Sequence, residues 1–400
     1  MYCVKKITND ISYIGGSDRR LALFENAYPI PNGISYNSYF IDDEKTAVAD
    51  TVDKSVADRF FENVEYLLNG RTLDYVIVNH MEPDHCATLG ALCEKYPQAQ
   101  IVCNQKTAAM LKQFFTLDLD ARVVLKKEGE SLSLGKHTLT FYAAPMVHWP
   151  EVTVTYDETD GVLFSADAFG TFGALDGAIF ADEIGFGEAE FSEARRYYAN
   201  IVGKYGAQTT ALLKKASALD IKILCPLHGP VWRKDIASFV EKYALWGAYA
   251  PEEQGVLVVY GSIYGGTQNA AEITAAKLAD NGIKVKMFDA SVTHPSYLLA
   301  EAFRFSHIVL ASSTYNNGIF TPMETFLADV QAHMLKNRTV GIIENGSWAP
   351  QSGKLIREAL ASLKDMTVLD EPVSLRSTVK EANLAEIDAL VAALTASLQA

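Results

Sequence analysis

The spacing of hydrophobic and polar residues changes near residue 251. Before that point, short apolar runs with polar turns predict strands, and longer amphipathic stretches predict helices. After it, short apolar runs alternate regularly with amphipathic stretches, which predicts an open parallel sheet with crossover helices. The polar stretch 251–255 separates the two patterns. We therefore predict one domain over residues 1–250 and a second over residues 254–400.

In the first part, the predicted order of strands, helices, strands and helices is typical of a layered αββα sandwich. Residues 36–50 predict a hairpin that turns at 42–45. The other predicted elements are helices at about 54–68, 85–96 and 188–218, and strands at 74–79, 137–143, 152–156, 161–166 and 221–225.

In the second part, the pattern predicts a doubly wound sheet of five parallel strands. The strands are expected at 256–260, 284–289, 307–311, 339–343 and 367–369, and the helices at about 267–282, 296–304, 322–335 and 351–363. The Ala- and Leu-rich residues at the end of the chain predict one more helix, packed on the sheet.

Composition and charge narrow the class of protein. A chain of 400 residues exceeds one typical core, and its formal net charge is -14. Duplex nucleic-acid binders usually present a basic face, so we expect no nucleic-acid partner. The acidic surface fits small neutral substrates, or a partner that presents Lys and Arg.

The cysteines and the apolar runs indicate the compartment. The cysteine count is five, and no pair has the spacing Cys-x-x-Cys, which disfavours a disulfide framework, a zinc knot or an iron–sulfur cluster. Free buried thiols in a reducing compartment are expected instead. The first residues lack a signal-peptide pattern, and no apolar run reaches ~18 residues. We expect a cytoplasmic protein without a membrane span.

A dense group of potential metal ligands follows the apolar run 74–79. His80, Glu82 and Asp84 alternate along the segment, so on an extended backbone their side chains point the same way, and His85 comes next. Three further candidates follow predicted strands in the same manner, namely His148, Asp167 and His228. Together they predict a metal centre built on strand ends.

Each of these residues has an ordinary alternative role when it is considered alone. A single histidine is more often a hydrogen-bonded polar residue than a ligand, and Asp167 alone could cap a turn. His137 stands at a strand start without companions, and we interpret it as structural. Tyr197 could lie near the metal pocket, but a tyrosine in an amphipathic helix more often serves packing. The joint pattern of His80 to His228 is what favours a metal site.

Three loops in the second part predict a phosphate and ring-binding site. The first follows strand 256–260, where small residues and hydroxyls can surround an anion at a helix N-terminus. No Lys follows its last Gly, and it lacks Gly-x-Gly-x-x-Gly, so neither a triphosphate loop nor a nicotinamide site is supported. By itself this loop could be only a tight turn. The other two loops follow strands 307–311 and 339–343, where ligands of open sheets bind. The candidate residues are Ser262, Tyr264, Gly265, Gly266, Thr267, Ser313, Thr314, Tyr315, Asn316, Asn317, Gly318, Asn345, Gly346, Ser347 and Trp348.

These motifs resemble two known folds. Residues 80–85 with His148, Asp167 and His228 are similar to the dinuclear pattern of the metallo-β-lactamase fold, and the three loops are similar to those of flavodoxin, which binds FMN. Hydrolytic metallo-β-lactamases carry His where this chain has Glu82. That exchange is typical of the flavodiiron proteins, or A-type flavoproteins, and the resemblance covers essentially the whole chain. It implies a metallo-β-lactamase-like domain followed by a flavodoxin-like domain.

The resemblance also implies the cofactors and ligand roles. His80, Glu82 and His148 would hold one iron, Asp84 and His228 the other, and Asp167 would bridge them. His85 is ambiguous in the family, and we treat it as supporting the ligands without binding metal. Three carboxylates with three imidazoles suit non-haem iron better than zinc, which favours four-coordinate sites rich in His and Cys.

The activity implied is reduction of O2 to water, of NO to N2O, or of both, at a diiron centre supplied with electrons by FMN. An external donor is expected, either rubredoxin, a related reductase or coenzyme F420. The family also implies a head-to-tail homodimer, or a dimer of dimers. Two alternatives stay open: a dizinc hydrolase fused to a flavodoxin-like domain, in which metal-bound hydroxide attacks an ester, and an electron carrier whose metal domain has lost its function.

Overall fold

A computed structural model describes residues 2–116 and 120–399 of the chain. These residues form two compact units. The first unit comprises Met1–Tyr198 and Ala207–Ala244, and the second comprises Ala199–Gly206 and Leu245–Ala400. Each unit has its own hydrophobic core.

The first unit is built from short strands and mostly short helices. Its strands are β1 (Lys5–Lys6), β2 (Ile11–Tyr13), β3 (Gly16–Asp18), β4 (Leu23–Phe24), β5 (Tyr28–Pro29), β6 (Ile34–Tyr36), β7 (Tyr39–Ile41), β8 (Ala47–Ala49), β9 (Tyr75–Ile77), β10 (Gln100–Cys103), β11 (Val123–Leu125), β12 (Ser131–Ser133), β13 (Thr138–Ala143), β14 (Thr153–Asp157), β15 (Val162–Phe164) and β16 (Ile223–Cys225). Its helices are α1 (Ala57–Leu68), α2 (Pro83–Cys86), α3 (Leu89–Lys95), α4 (Gln105–Phe114), α5 (Ala181–Ile184), α6 (Glu188–Tyr197), α7 (Gly206–Ala216) and α8 (Ile236–Gly247), the last two extending across a unit boundary.

Two main sheets pack face to face in the first unit. One has the strand order β1-β2-β7-β8-β9-β10-β11, and the other has the order β12-β13-β14-β15-β16. Buried residues from both sheets, such as Tyr39 and Phe164, belong to one core cluster, which lies between the sheets. The segments after β9, β13, β15 and β16 carry the predicted metal ligands, so the sandwich gathers them at strand ends.

The second unit has the alternation that the sequence predicts. Its strands are β17 (Glu253–Gly261), β18 (Val285–Asp289), β19 (Phe305–Tyr315), β20 (Gly318–Ile319), β21 (Arg338–Asn345), β22 (Met366–Val368) and β23 (Val373–Leu375), and its helices are α9 (Gly266–Asp280), α10 (Pro295–Arg304), α11 (Thr321–Ala332), α12 (Ser352–Leu360) and α13 (Glu381–Gln399). The parallel strands follow the order β18-β17-β19-β21-β22, with β23 also parallel to β21. This is the doubly wound order of flavodoxin, which confirms the predicted fold class.

Two predicted helices are interrupted in the structure, so their predicted bounds are wrong. The stretch 188–218 is α6, then a π-helical segment at Tyr198–Val202, a 3₁₀ turn at Gly203–Tyr205, and α7. Gly206 lies at this break. The position requires glycine, because a Cβ there would stand 2.4 Å from the carbonyl oxygen of Gly247. The stretch 85–96 divides into α2 and α3, since Pro83 starts α2 inside the ligand segment.

Two further predictions concern the cysteines and the ability of the helices to span a membrane. All five cysteines lie in the described residues and are free, and four of them are buried, as the sequence predicts. Within residues 2–116 and 120–399, the helices are too short or too polar to cross a membrane.

Candidate functional sites

The ligand segment after β9 is held in place by a buried aspartate. Asp50, which follows β8, accepts hydrogen bonds from the backbone N–H of Asn79 (2.7 Å) and His80 (3.2 Å), and from Nδ2 of Asn79 (2.7 Å). Burial raises the pKa of Asp50 to about 6 against these hydrogen bonds, which favour the ionised form. The segment is therefore fixed by backbone contacts before any cation binds.

Seven side chains meet in two adjoining clusters. His80, Glu82, His148 and Asp167 form the first cluster, and Asp84, His85 and His228 form the second. Within each cluster the potential ligand atoms lie within 4.8 Å of one another. The structure thus brings together the six predicted metal ligands and His85, for which we predicted a supporting role.

Asp167 lies between the two clusters. Its Oδ2 is 3.1 Å from Nε2 of His148 in the first cluster, and its Oδ1 is 3.1 Å from Nε2 of His85 in the second. Burial by itself raises the pKa of Asp167, but the imidazoles of His85 and His80 hold that pKa well below the usual range of an aspartate. An ionised carboxylate with one oxygen toward each cluster can bridge two cations.

The donor set fits metal ions. Both carboxylate oxygens of Asp84 and Oδ1 of Asp167 are buried and make no hydrogen bond within the described part of the chain. Such groups are costly unless a cation binds them. Nε2 of His85 and Nε2 of His228 are only 3.0 Å apart, which suits two lone pairs directed at one ion. Glu82 completes the first cluster, with Oε2 at 2.9 Å from Nε2 of His148.

His85, for which we predicted a supporting role, lies within the second cluster. Its Nε2 faces Asp84 Oδ2 at 3.3 Å, in the same cluster as His228, while its buried Nδ1 makes no hydrogen bond with the described residues. The nitrogen that could bind a cation is therefore the one that points into the cluster.

Aromatic rings border the second cluster, and the turn that carries Glu25 lies beside the first cluster. Tyr197 is fully buried, with its ring centroid 5.5 Å from that of His228, so it both packs and borders the site. Phe24 meets His228 edge-on at 5.3 Å. Glu25 follows Phe24 in the turn between β4 and β5, where it is exposed and lies close to the Glu82 carboxylate of the first cluster.

Sequence reasoning missed the polar residues that support the ligands. Asp50 closes the apolar strand β8, which is the same signal that identified Asp167, so it could have been found. Ser35, whose carbonyl oxygen accepts a hydrogen bond from Nδ1 of His228 at 2.7 Å, has no sequence signal because it acts through its backbone. Oε1 of Glu151 lies 2.8 Å from Nδ1 of His80. The sequence indicates Glu151 only weakly, as an acidic residue that stands close to His148 along the chain.

The second unit carries a cavity of about 640 Å³ at the carboxyl ends of its parallel strands. Of the predicted flavin-site residues, Gly265 and Gly318 do not line it, and the other thirteen do. Four lining residues were missed, namely Ile263, Ala349, Ser377 and Thr378. Ser377 and Thr378 follow β23, a strand that the sequence analysis did not predict.

The local structure of this cavity suits a phosphate and a flat ring. Gly265 adopts φ +88° just before α9, and a Cβ on Gly266 would lie 2.0 Å from the carbonyl oxygen of Ser377, so both positions favour glycine. The N-terminus of α9 therefore faces the cavity with free space for an anion. Tyr264 is 99% exposed and Trp348 is 84% exposed, which leaves two aromatic faces open to a ring. The described residues that line the cavity carry no charged side chain. Such a lining fits a phosphate that is bound by N–H groups and hydroxyls.

Comparisons with known proteins agree with both sites. A family model described as ODP family beta lactamase matches residues 34–229. A nitric oxide reductase of Moorella thermoacetica is 31% identical over 92% of this chain and 91% of that protein. The structure of rubredoxin oxygen:oxidoreductase from Desulfovibrio gigas superposes with a TM-score of 0.93 at 27% identity, covering 99% of this chain and 98% of that one. The flavodiiron protein of Giardia intestinalis gives a TM-score of 0.92 at 26% identity, with the same coverage.

Fold and sites together define a metallo-β-lactamase-like metal domain joined to a flavodoxin-like domain. With relatives of this identity along nearly its whole length, the chain belongs to the flavodiiron protein family.

Proposed function

We propose that this protein is an oxidoreductase that reduces O2 to water, NO to N2O, or both, with a diiron centre within residues 1–250 and FMN within residues 254–400. The observation that carries the proposal is the pair of carboxylate–imidazole clusters that share Asp167, in one chain with a flavodoxin-like cavity. The names of the relatives from Moorella and Desulfovibrio support both gases as substrates.

The ligand roles follow from the geometry of the clusters. His80, Glu82 and His148 are suited to hold one iron, Asp84 and His228 to hold the other, and Asp167 to bridge them. His85 joins the second iron in this proposal, because its Nε2 lies 3.0 Å from that of His228. Three carboxylates offset most of the charge of two Fe²⁺ ions, and mixed nitrogen and oxygen ligation suits non-haem iron.

Aromatic residues beside the second cluster limit the access of water, and the two cofactors supply the redox chemistry. Phe24, Phe172 and Tyr197 form an aromatic wall beside His228, which keeps water away from the reacting gas. Iron there supplies gas binding and one-electron chemistry, and FMN supplies electrons in pairs. Reduction of O2 to two waters takes four electrons and four protons, whereas coupling of two NO to N2O and one water takes two of each.

An external protein donor completes the proposal. We expect rubredoxin or a related reductase, since the similar protein from Desulfovibrio gigas is named a rubredoxin oxygen:oxidoreductase. A head-to-tail homodimer, in which the FMN of one subunit reduces the irons of the other, is also proposed. The free buried thiols support a reducing compartment such as the cytoplasm.

The test is anaerobic turnover of the full chain loaded with iron and FMN, with reduced rubredoxin as the trial donor and O2 or NO added in separate assays. We expect uptake of at least one gas, and at least a 100-fold loss in Glu82→Ala, because electrostatic stabilisation at a metal is a large part of such rates. Glu158→Gln, on an exposed residue next to β14, is the matched control. Native protein that contains two zinc ions, hydrolyses an ester and consumes neither gas would overturn the proposal.

A further inference from the structure

Glu151 is a buried carboxylate that lies just before β14. Its side chain is fully buried. The backbone around it is fixed by Asn104, whose Nδ2 donates to the carbonyl oxygen of Glu151 (2.5 Å) and to Oγ1 of Thr153 (2.8 Å). A carboxylate at such a position is costly unless it is hydrogen bonded, so its contacts indicate its role.

Two donors from the ligand segment converge on one oxygen of Glu151. Oε1 lies 2.8 Å from Nδ1 of His80 and accepts a hydrogen bond of 2.9 Å from the backbone N–H of Met81. Nδ1 of His80 therefore donates to Glu151, and Nε2 is the ring nitrogen that is presented to the cluster. That Nε2 lies 3.2 Å from Oε2 of Glu82 and 3.6 Å from Oδ2 of Asp167, inside the first cluster.

Among the described residues, no carboxylate accepts a hydrogen bond from the outer ring nitrogens of the second cluster. Nδ1 of His228 donates to a neutral backbone carbonyl, that of Ser35, at 2.7 Å. Nδ1 of His85 makes no hydrogen bond with the described residues. A carboxylate behind a ligating histidine makes the imidazole more basic and fixes its tautomer, more strongly than a carbonyl does.

We propose that Glu151 is a positioning residue that acts through His80 and makes the two metal positions unequal. The position of His80, Glu82 and His148 then binds its cation more tightly than the position of Asp84, His85 and His228, and it favours the oxidised state of that cation. The inference rests on the proposed function only in naming iron as the cation. The types of ligand do not explain a difference in affinity between the two positions, since both clusters contain histidine and carboxylate.

The test uses metal-free full-length protein titrated with Co²⁺, whose visible absorption reports on ligand geometry at each position. We expect wild type to bind two Co²⁺ ions. In Glu151→Ala, one of the two should bind about 10–100-fold more weakly while the other is unchanged. Glu151→Gln should fall between them, because its amide oxygen can still accept from both His80 and Met81 but carries no charge. Glu158→Gln, which changes an exposed carboxylate near the same strand, should match wild type.

A second readout separates positioning from general stability. In iron-loaded Glu151→Gln, which keeps both hydrogen bonds and carries the test if Glu151→Ala does not fold, the midpoint potential of one iron should rise relative to wild type. Equal weakening of both Co²⁺ ions, or unchanged affinity and potential in a variant that unfolds at the wild-type temperature, would overturn the inference. Wild type that binds two Co²⁺ ions unequally, yet reduces neither gas with iron, would count against the proposed function alone.

Discussion

At the scale of single residues, His137 is a buried imidazole placed between two aspartates. Its Nδ1 lies 3.0 Å from Oδ2 of Asp157, and its Nε2 lies 3.3 Å from Oδ2 of Asp10. The hydrogen bond with Asp157 raises the pKa of His137, burial opposes the rise, and Asp10 adds to it. Both ring nitrogens are engaged, which agrees with the structural role that the sequence suggests.

This arrangement predicts a pH-dependent contribution to stability. Because the pKa of His137 is higher in the folded state than the ordinary value of about 6.5, its stabilisation is complete below that value and is lost as pH rises through the folded pKa. We expect His137→Gln to lower the free energy of unfolding by about 3 kcal/mol near pH 6, since it removes one partner of a buried charged pair. The loss should be clearly smaller near pH 9.

Denaturant unfolding of both proteins across this pH range measures the effect. His333→Gln serves as a control in the second unit, because the ring nitrogens of His333 hydrogen bond to the backbone carbonyl oxygens of Asp329 and Asn200. A difference between wild type and His137→Gln that stays constant with pH would show that His137 is not charged in the folded protein.

Among single residues, the candidate ligands were visible in the sequence, and the residues that contact them were not. His80, Glu82 and Asp84 stand out because their alternation after an apolar run is visible in the sequence. Glu151 contacts His80 across 71 residues of chain, and no local pattern connects the two. The sequence could not decide whether His85 binds metal or supports the ligands, because a side chain in α2 can face the cluster or turn away from it.

At the scale of elements, the turn between β17 and α9 depends on two adjacent glycines for different reasons. Gly265 needs its positive φ but has open space around its Cα, whereas Gly266 has no room for a Cβ beside Ser377. The backbone of the turn and the loop after β23 are therefore packed together. Asn345 joins them, since its Nδ2 donates to Oγ1 of Thr267 (3.2 Å) and to the carbonyl oxygen of Ser377 (2.9 Å).

Substitution of these glycines should weaken FMN binding unequally. Gly266→Ala must displace the backbone of Ser377, and we expect the Kd for FMN to rise about 100-fold, which corresponds to about 3 kcal/mol. Gly265→Ala incurs only the strain of a positive φ, of about 1 kcal/mol, and should raise the Kd about 5-fold. Quenching of FMN fluorescence measures both values. Similar Kd values for the two variants would show that the contact with Ser377 does not shape the site.

Element boundaries were less predictable than element types. The sequence identifies helix over 188–218, but α6 and α7 are separated by the π-helical segment and the 3₁₀ turn. Ala199–Gly206 belongs to the second unit, where Nδ2 of Asn200 donates to the carbonyl oxygen of Ser296 at 3.1 Å. Tertiary contacts of this kind override helical periodicity, which reports only on neighbours along the same helix.

At the scale of the whole molecule, the proposed head-to-tail dimer makes each active centre depend on two chains. A Glu82→Ala subunit keeps the flavin cavity but loses a metal ligand, and a Ser262→Ala/Trp348→Ala subunit keeps the metal ligands but loses flavin contacts. Each should be inactive alone. Mixed after subunit exchange, they should regain about a quarter of the wild-type rate, since half of randomly assorted dimers are mixed and each keeps one of two electron paths.

Turnover of O2 or NO with the reduced donor measures the recovery. Native mass spectrometry of the mixture provides the control for subunit exchange, because the two variant subunits differ in mass and mixed dimers have an intermediate mass. Failure to regain activity under conditions where exchange is demonstrated would indicate electron transfer within one chain.

The sequence by itself determined the class of fold and the two kinds of site, and it supplied the candidate residues for both sites. It could do so because strand and helix periodicities depend only on nearby residues, and because the residue types in a site indicate which metal or cofactor the site suits. Only the tertiary structure decided which oxygen of Asp167 faces which cluster, that Glu151 lies behind His80, and that Ser377 closes the flavin cavity. These contacts join residues far apart in the chain, and they depend on how packed strands and loops come together rather than on any local pattern.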